Sequence, residues 1–201
     1  MTAKEIENLI TSFDLVGDIA IIEIPGELKK KEKIIAKTLL GLHKNIKVVL
    51  DANTLLDQDR YEIILIGGDF SRVFQSNHLE LAPNSKKVGY LNDEELKALY
   101  YKAAGLIFPS LYEGFGLPLV EAMTCSCPVI CSDIPSSREV CGEAALYFDA
   151  EQPEDLANKL EMILNNSSQA EELIKRGTLQ SRNFSWMKTA QETKQILERY
   201  L

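Results

Sequence analysis

Two carboxylates eight positions apart flank a glycine-rich turn in Pro109-Ser110-Leu111-Tyr112-Glu113-Gly114-Phe115-Gly116-Leu117-Pro118-Leu119-Val120-Glu121. Carboxylates accept hydrogen bonds from hydroxyl groups and repel phosphate, so Glu113 and Glu121 speak for a sugar. Gly114 and Gly116 have no Cβ, which lets the backbone turn sharply and lets a ligand approach the amides of Phe115, Gly116 and Leu117. Pro118 suits the first helical position, where its missing N–H would have had no partner. The helix then starts where the loop ends, and its free N–H groups and partial positive charge make a seat for an anion. Alone, Glu121 is an ordinary acid of a first helical turn, worth about 0.3–1 kcal/mol to the helix. Taken together, the stretch reads as a seat for a sugar joined to a phosphate.

Such a loop needs a rigid frame. Leu106-Ile107-Phe108 is the end of a buried strand that feeds it, and Pro128-Val129-Ile130-Cys131 is a second strand that leaves the helix behind it. Tyr61 to Ile66 is a strand closed by Gly67-Gly68, and Lys86 to Leu91 is another, after which Asn92-Asp93 caps a helix running to Ala103. A helix of loose limits spans 70–79, Leu146-Tyr147-Phe148 is a last short strand, and the tail is helical over 153–164, 169–176 and 186–200. Strands alternating with helices predict a mostly parallel sheet covered on both faces, with ligands beyond the C-terminal ends of the strands. Gly67-Gly68, Leu91-Asn92-Asp93 and the Glu113 loop all fall at such ends. Gly67-Gly68 suits a plain tight turn equally well.

The loop and its helix resemble the E-x7-E signature of the retaining, nucleotide-sugar-dependent glycosyltransferases of the GT-B fold, glycosyl transferase group 1. The similarity continues through Cys127-Pro128-Val129-Ile130-Cys131-Ser132-Asp133-Ile134-Pro135 and Arg138-Glu139-Val140-Cys141-Gly142-Glu143-Ala144-Ala145, and covers about residues 58 to 201. It implies an α/β fold, a Rossmann-like three-layer α/β/α sandwich forming the C-terminal half of GT-B. It implies a nucleoside-diphosphate sugar as donor and neither a metal nor another cofactor. Carried over by position, Glu113 meets hydroxyls of the transferred sugar and is the candidate catalytic residue, while Glu121 binds the ribose. The amides of Phe115, Gly116 and Leu117, with Gly114 between them and Glu113, meet the sugar and diphosphate. The loop that holds the base maps onto Leu91, with Asp93 nearby, and the Gly67-Gly68 turn joins the nucleotide-binding set from its place at a strand end rather than from the resemblance.

Members of that family also use an arginine and a lysine, from an opening segment ending Gly-Arg, against the charge of the departing diphosphate. Neither stands at a matching place here. Lys29, Lys30 and Lys31 follow a strand but come after a bend at Pro25-Gly26. The family's acceptor-binding N-terminal domain finds no counterpart, so the resemblance implies a donor-binding half that is inactive alone and needs that domain as partner.

The front of the chain reads as a helix over 4–13, a strand over 16–24, a helix over 27–43 and a strand over 46–50. This strand–helix–strand unit permits parallel pairing through a right-handed crossover. Its sequence, from Ser12-Phe13-Asp14-Leu15 to Glu23-Ile24-Pro25 and on to Leu42-His43-Lys44-Asn45-Ile46-Lys47, resembles a part of the archaeal-type tRNA (guanine-N1) methyltransferases that lies ahead of their cofactor region. No glycine-rich S-adenosylmethionine loop of that family follows, so methyl transfer is not implied. The two resemblances meet near residues 51 to 58, the pattern of a natural or artificial chimera within one domain. Two other readings therefore stand beside the donor half: a tRNA-contacting module, and a folded chimera without activity.

At 201 residues, with 45% hydrophobic and 26% charged side chains, the chain suits one ordinary globular domain. No apolar run is long enough for a bilayer and Met1 to Ile6 lacks a signal core, which predicts a cytosolic location. The net charge of −8 disfavours nucleic acid, and the run at Lys29 to Lys31 reads as a solvated helix face. Cys125, Cys127, Cys131 and Cys141 have neither zinc nor redox spacing and read as small buried thiols. His43 and His78 stand alone as helix-end or surface residues.

Overall fold

The computed structural model describes residues 20–23, 43–66 and 81–199. The helices expected over 4–13 and 70–79, residues 27–42 of the helix expected over 27–43, the turn Gly67-Gly68, His78 and the run Lys29 to Lys31 lie outside the described residues.

The described chain forms β1 (Ala20–Glu23), α1 (His43–Thr54), β2 (Glu62–Ile66), β3 (Ser85–Val88), α2 (Asp93–Lys102), β4 (Ala103–Phe108), α3 (Leu117–Thr124), β5 (Val129–Ser132), α4 (Pro135–Cys141), β6 (Ala145–Phe148), α5 (Pro153–Asn165), α6 (Ser167–Ser181) and α7 (Trp186–Glu198). The six strands make one sheet in the order β3-β2-β1-β4-β5-β6. The pairs β2–β3, β4–β5 and β5–β6 are parallel, whereas β1 is antiparallel to both β2 and β4. A single reversed strand leaves its two neighbours parallel to each other, so β2 to β6 all end on one edge, the edge that carries the loop.

Strand residues alternate between the faces, as a pleated strand requires. Ile63, Leu65, Ile107 and Ile130 pack with Val49, Leu156, Leu160 and Ile163 on one side. Leu106, Phe108, Val129 and Cys131 pack with Leu119, Ala122, Met123 and Val140 on the other. The result is the expected α/β/α sandwich.

The front of the chain departs from the sequence reading. Ile46 to Leu50 is not a strand but the first half of α1, and β1 pairs antiparallel, so the strand–helix–strand unit with a parallel second strand is not formed. The β-branched window Ile46-Lys47-Val48-Val49-Leu50 suits a strand when read alone. Its continuation decides otherwise: Ile46, Val49, Leu50 and Asn53, spaced as one helical face, are all buried. Lys47 also pairs with Asp51 one turn on. Asn53 then docks the helix on the sheet, exchanging side-chain hydrogen bonds with Asn84 at 2.9 and 3.0 Å while its carbonyl accepts from the Tyr61 hydroxyl.

A second difference is α4, a short helix that sequence reading passed over. Ile134 stands before it in extended conformation and Gly142 ends it at φ 54°, a conformation costly for a side-chain-bearing residue. The four cysteines are buried free thiols, as expected.

Candidate functional site

β4 runs out at Phe108, which is wholly buried, and the chain leaves the sheet through Pro109 and the buried Ser110. The turn closes at Gly116, where φ is 91° and ψ 57°, and this left-handed residue is the N-cap of α3. α3 begins at Leu117, one residue earlier than expected, with Pro118 second; the proline still occupies a first-turn position whose N–H has no helical acceptor. Gly116 is required twice over. A Cβ there would lie 2.9 Å from Leu119 Cδ1 and 3.6 Å from Phe108 Cε1. Gly114 is not required by conformation, since its φ is not positive and an added Cβ would meet nothing within 4 Å. Its open surroundings leave the adjoining backbone approachable. Among the described residues, the amides of Phe115 and Gly116 make no hydrogen bond to the protein.

The two glutamates are held in different ways. The Ser110 hydroxyl donates to Glu113 Oε1 at 2.7 Å, fixing the carboxylate at the root of the loop. Burial raises the pKa of the Glu113 carboxyl from its ordinary value, and the Ser110 bond offsets part of that rise. A carboxyl raised in the fold contributes stability below its unfolded pKa and loses it as pH rises through the folded value. Glu113→Gln therefore melts at a higher temperature than the parent at neutral pH, and the two melting temperatures converge below about pH 4, where both side chains are neutral. Thermal melts across pH check this.

Glu121, one turn into α3, accepts from the Tyr100 hydroxyl at 3.2 Å. It lines a cavity of about 850 Å³ with Asp93, Leu96, Tyr100, Phe115, Leu117 and Trp186. The loop is pinned to the tail by Phe115, whose ring meets Phe184 edge-on at 5.5 Å and 80°.

Of the expected site residues, Asp93, Phe115, Leu117 and Glu121 thus share one hollow. Glu113 does not line it and sits at the start of the turn beside Ser110. Leu91 packs against the small apolar cluster of Ile64 and Ile66. Asn92 closes a capping box with Glu95, each bonded at 3.0 Å, which leaves Asp93 at the helix start to face the cavity. Gly67 and Gly68 lie outside the described residues.

Sequence reading missed Ser110, Tyr100, Phe184 and Trp186. Ser110 had a signal, a short hydroxyl just past a buried strand. Tyr100 had another, the helical spacing of Asp93, Leu96, Lys97 and Tyr100. Phe184 and Trp186 had none, because their contacts join segments about seventy residues apart in sequence.

Residues 18–180 match the family model described as glycosyl transferases group 1. The chain belongs to this family. Among relatives, it is 36% identical over 160 residues to the O-antigen chain mannosyltransferase B of Escherichia coli, covering 75% of this chain and 41% of that protein. Among solved structures, it superposes with TM-score 0.70 and 17% identity on the Anabaena protein Alr3699/HepE, described in complex with UDP and glucose, covering 99% of this chain and 53% of that one. A partial match also joins it to the tRNA (guanine(37)-N(1))-methyltransferase Trm5b of Pyrococcus abyssi, 31% identical over 115 residues, 54% of this chain and 35% of that protein. The group 1 match starts at residue 18 and so runs across the junction expected near 51–58. The chain spans about two fifths of the length of the mannosyltransferase and half that of the Anabaena protein. Among the described residues, no helix is long and apolar enough to cross a membrane.

Proposed function

We propose that this chain is the donor-binding part of a retaining glycosyltransferase and takes a nucleoside-diphosphate sugar at the loop between β4 and α3. The observation that carries the reading is the left-handed Gly116 at the head of α3, with uncommitted amides on the turn and a carboxylate on each side. The diphosphate meets the amides of Phe115, Gly116 and Leu117 at the positive end of the helix. Glu121 takes the ribose from the cavity side. Glu113, across the turn, takes hydroxyls of the sugar and is the residue closest to the chemistry. Leu91, Asp93 and the Gly67-Gly68 turn border the base. The Anabaena neighbour described with UDP and glucose supports this class of ligand.

Transfer further requires an acceptor surface and cations that meet the charge developing on the leaving diphosphate. The proposal assigns the acceptor surface to an N-terminal partner domain and the cations to groups outside this loop, so the 201-residue chain by itself binds donor without turning it over. No metal and no nucleic acid enter the reading, and its place is the cytosol.

Calorimetric titration with UDP, GDP, ADP and UDP-glucose tests it. At least one diphosphate binds with a Kd in the micromolar to millimolar range, Glu121→Ala weakens it about tenfold as a lost charged hydrogen bond does, and Glu113→Gln removes any extra affinity conferred by the glucosyl group. No heat from any of the four at millimolar concentration overturns the reading.

A second reading, a recombined front piece over residues 1–50 joined to a donor portion over 58–201, draws on the methyltransferase match, which at 115 residues extends beyond such a front piece, and is opposed by the group 1 match beginning at residue 18. Salt-dependent tRNA binding that weakens when Lys29, Lys30 and Lys31 are neutralised would support its functional form.

A further inference from the structure

We propose that Tyr100 is a positioning residue for nucleotide recognition: its hydroxyl holds the Glu121 carboxylate in the orientation that reads the ribose. The inference rests on the ribose role given to Glu121 above. Tyr100 is 2% exposed and packs in the core with Leu106, Phe108, Leu119 and Ala122, so its ring has little freedom. Asp93, Leu96, Lys97 and Tyr100 form one face of α2, while Leu117, Val120, Glu121 and Thr124 form one face of α3, and both faces line the same cavity. Both helices descend from the strand-end edge of the sheet. The only polar atom of the Tyr100 side chain is thus presented by a fixed ring to a carboxylate on the neighbouring helix, at 3.2 Å from Oε2.

A glutamate has three rotatable torsions and loses conformational freedom when it must meet a ligand in one orientation. A donor anchored in the core removes that freedom beforehand, which favours binding. Burial, and next the nearby Glu121, push the Tyr100 hydroxyl well above its usual pKa, so it stays a donor throughout the neutral range.

The test compares ribose with deoxyribose. For whichever of UDP, GDP or ADP binds the 201-residue chain, the 2′-deoxy and 3′-deoxy counterparts are titrated against the parent, Tyr100→Phe, Glu121→Ala and the double variant, with a thermal melt of each. The parent prefers the ribonucleotide to at least one deoxy form, by about tenfold for a hydrogen bond to a charged group. Tyr100→Phe loses most of that preference, and in the Glu121→Ala background it changes affinity no further, a coupling that a purely structural tyrosine would not show. A parent indifferent to both hydroxyls overturns the ribose role of Glu121 and this proposal with it. A parent that discriminates, beside a folded Tyr100→Phe that discriminates equally or adds its loss to that of Glu121→Ala, overturns the proposal alone.

Discussion

Gly116→Ala will lower stability by about 2–5 kcal/mol and abolish diphosphate binding together. Two costs add in the fold. At φ 91° an alanine Cβ crowds its own backbone, a penalty of about 1–2 kcal/mol. The same atom would meet Leu119 Cδ1 at 2.9 Å, and relieving such an overlap in a packed interior costs about 1–3 kcal/mol more. Leu119 is wholly buried, so it cannot swing into solvent to make room. The functional loss follows from the same geometry, because relaxing Gly116 to an ordinary φ reorients the amides at the head of α3. Urea unfolding gives the first quantity and titration calorimetry the second. A Gly114→Ala control, at a position with open space and ordinary φ, stays within about 0.5 kcal/mol of the parent.

Phe108→Ala is expected to cost about 3–5 kcal/mol, the range for truncating a buried aromatic ring. Phe108 is 0% exposed at the last position of β4, and its ring lies under Gly116. Removing it leaves a void between the sheet and the first turn of α3, so the loop loses its floor as well as the core its volume. Phe108→Leu fills most of that void and recovers more than half of the stability, and with it the diphosphate affinity. Chemical denaturation of the three proteins checks the order. Equal losses for alanine and leucine would show that the ring's specific contacts, not its volume, support the loop.

Both predictions arise where local sequence was informative. The β4 strand, the turn, the helix behind it and the Asn92 cap were legible because each is written in neighbouring residues: a buried apolar run, two glycines, a proline, an Asn-Asp pair. Gly116 and Gly114 look alike in sequence, yet only the first has a positive φ, and only there would an added Cβ meet Leu119 and Phe108. The window at Ile46 to Leu50 misled because five residues cannot separate a β-branched strand from a buried helix face; the period appears only when Asn53 is included. The reversed β1 was not legible at all, since strand direction depends on pairing with β2 and β4, far along the chain. The same holds for the site. Glu113 and Glu121 are visible as types and spacing, and Ser110 lies within the same loop as Glu113, whereas the bond from Tyr100 to Glu121 exists only once α2 and α3 are brought together.

The central claim is that the turn between β4 and α3 receives a sugar-linked diphosphate through its peptide N–H groups. The most direct measurement is an amide NMR titration of the 201-residue chain with UDP, GDP and ADP, with assigned signals for Phe115, Gly116 and Leu117. The account predicts that at least one diphosphate shifts these three amides most strongly in a saturable manner, while inorganic sulfate at the same ionic strength does so weakly. Saturable shifts confined to other parts of the sheet, or no shifts at these amides with any of the three nucleotides at millimolar concentration, would contradict it.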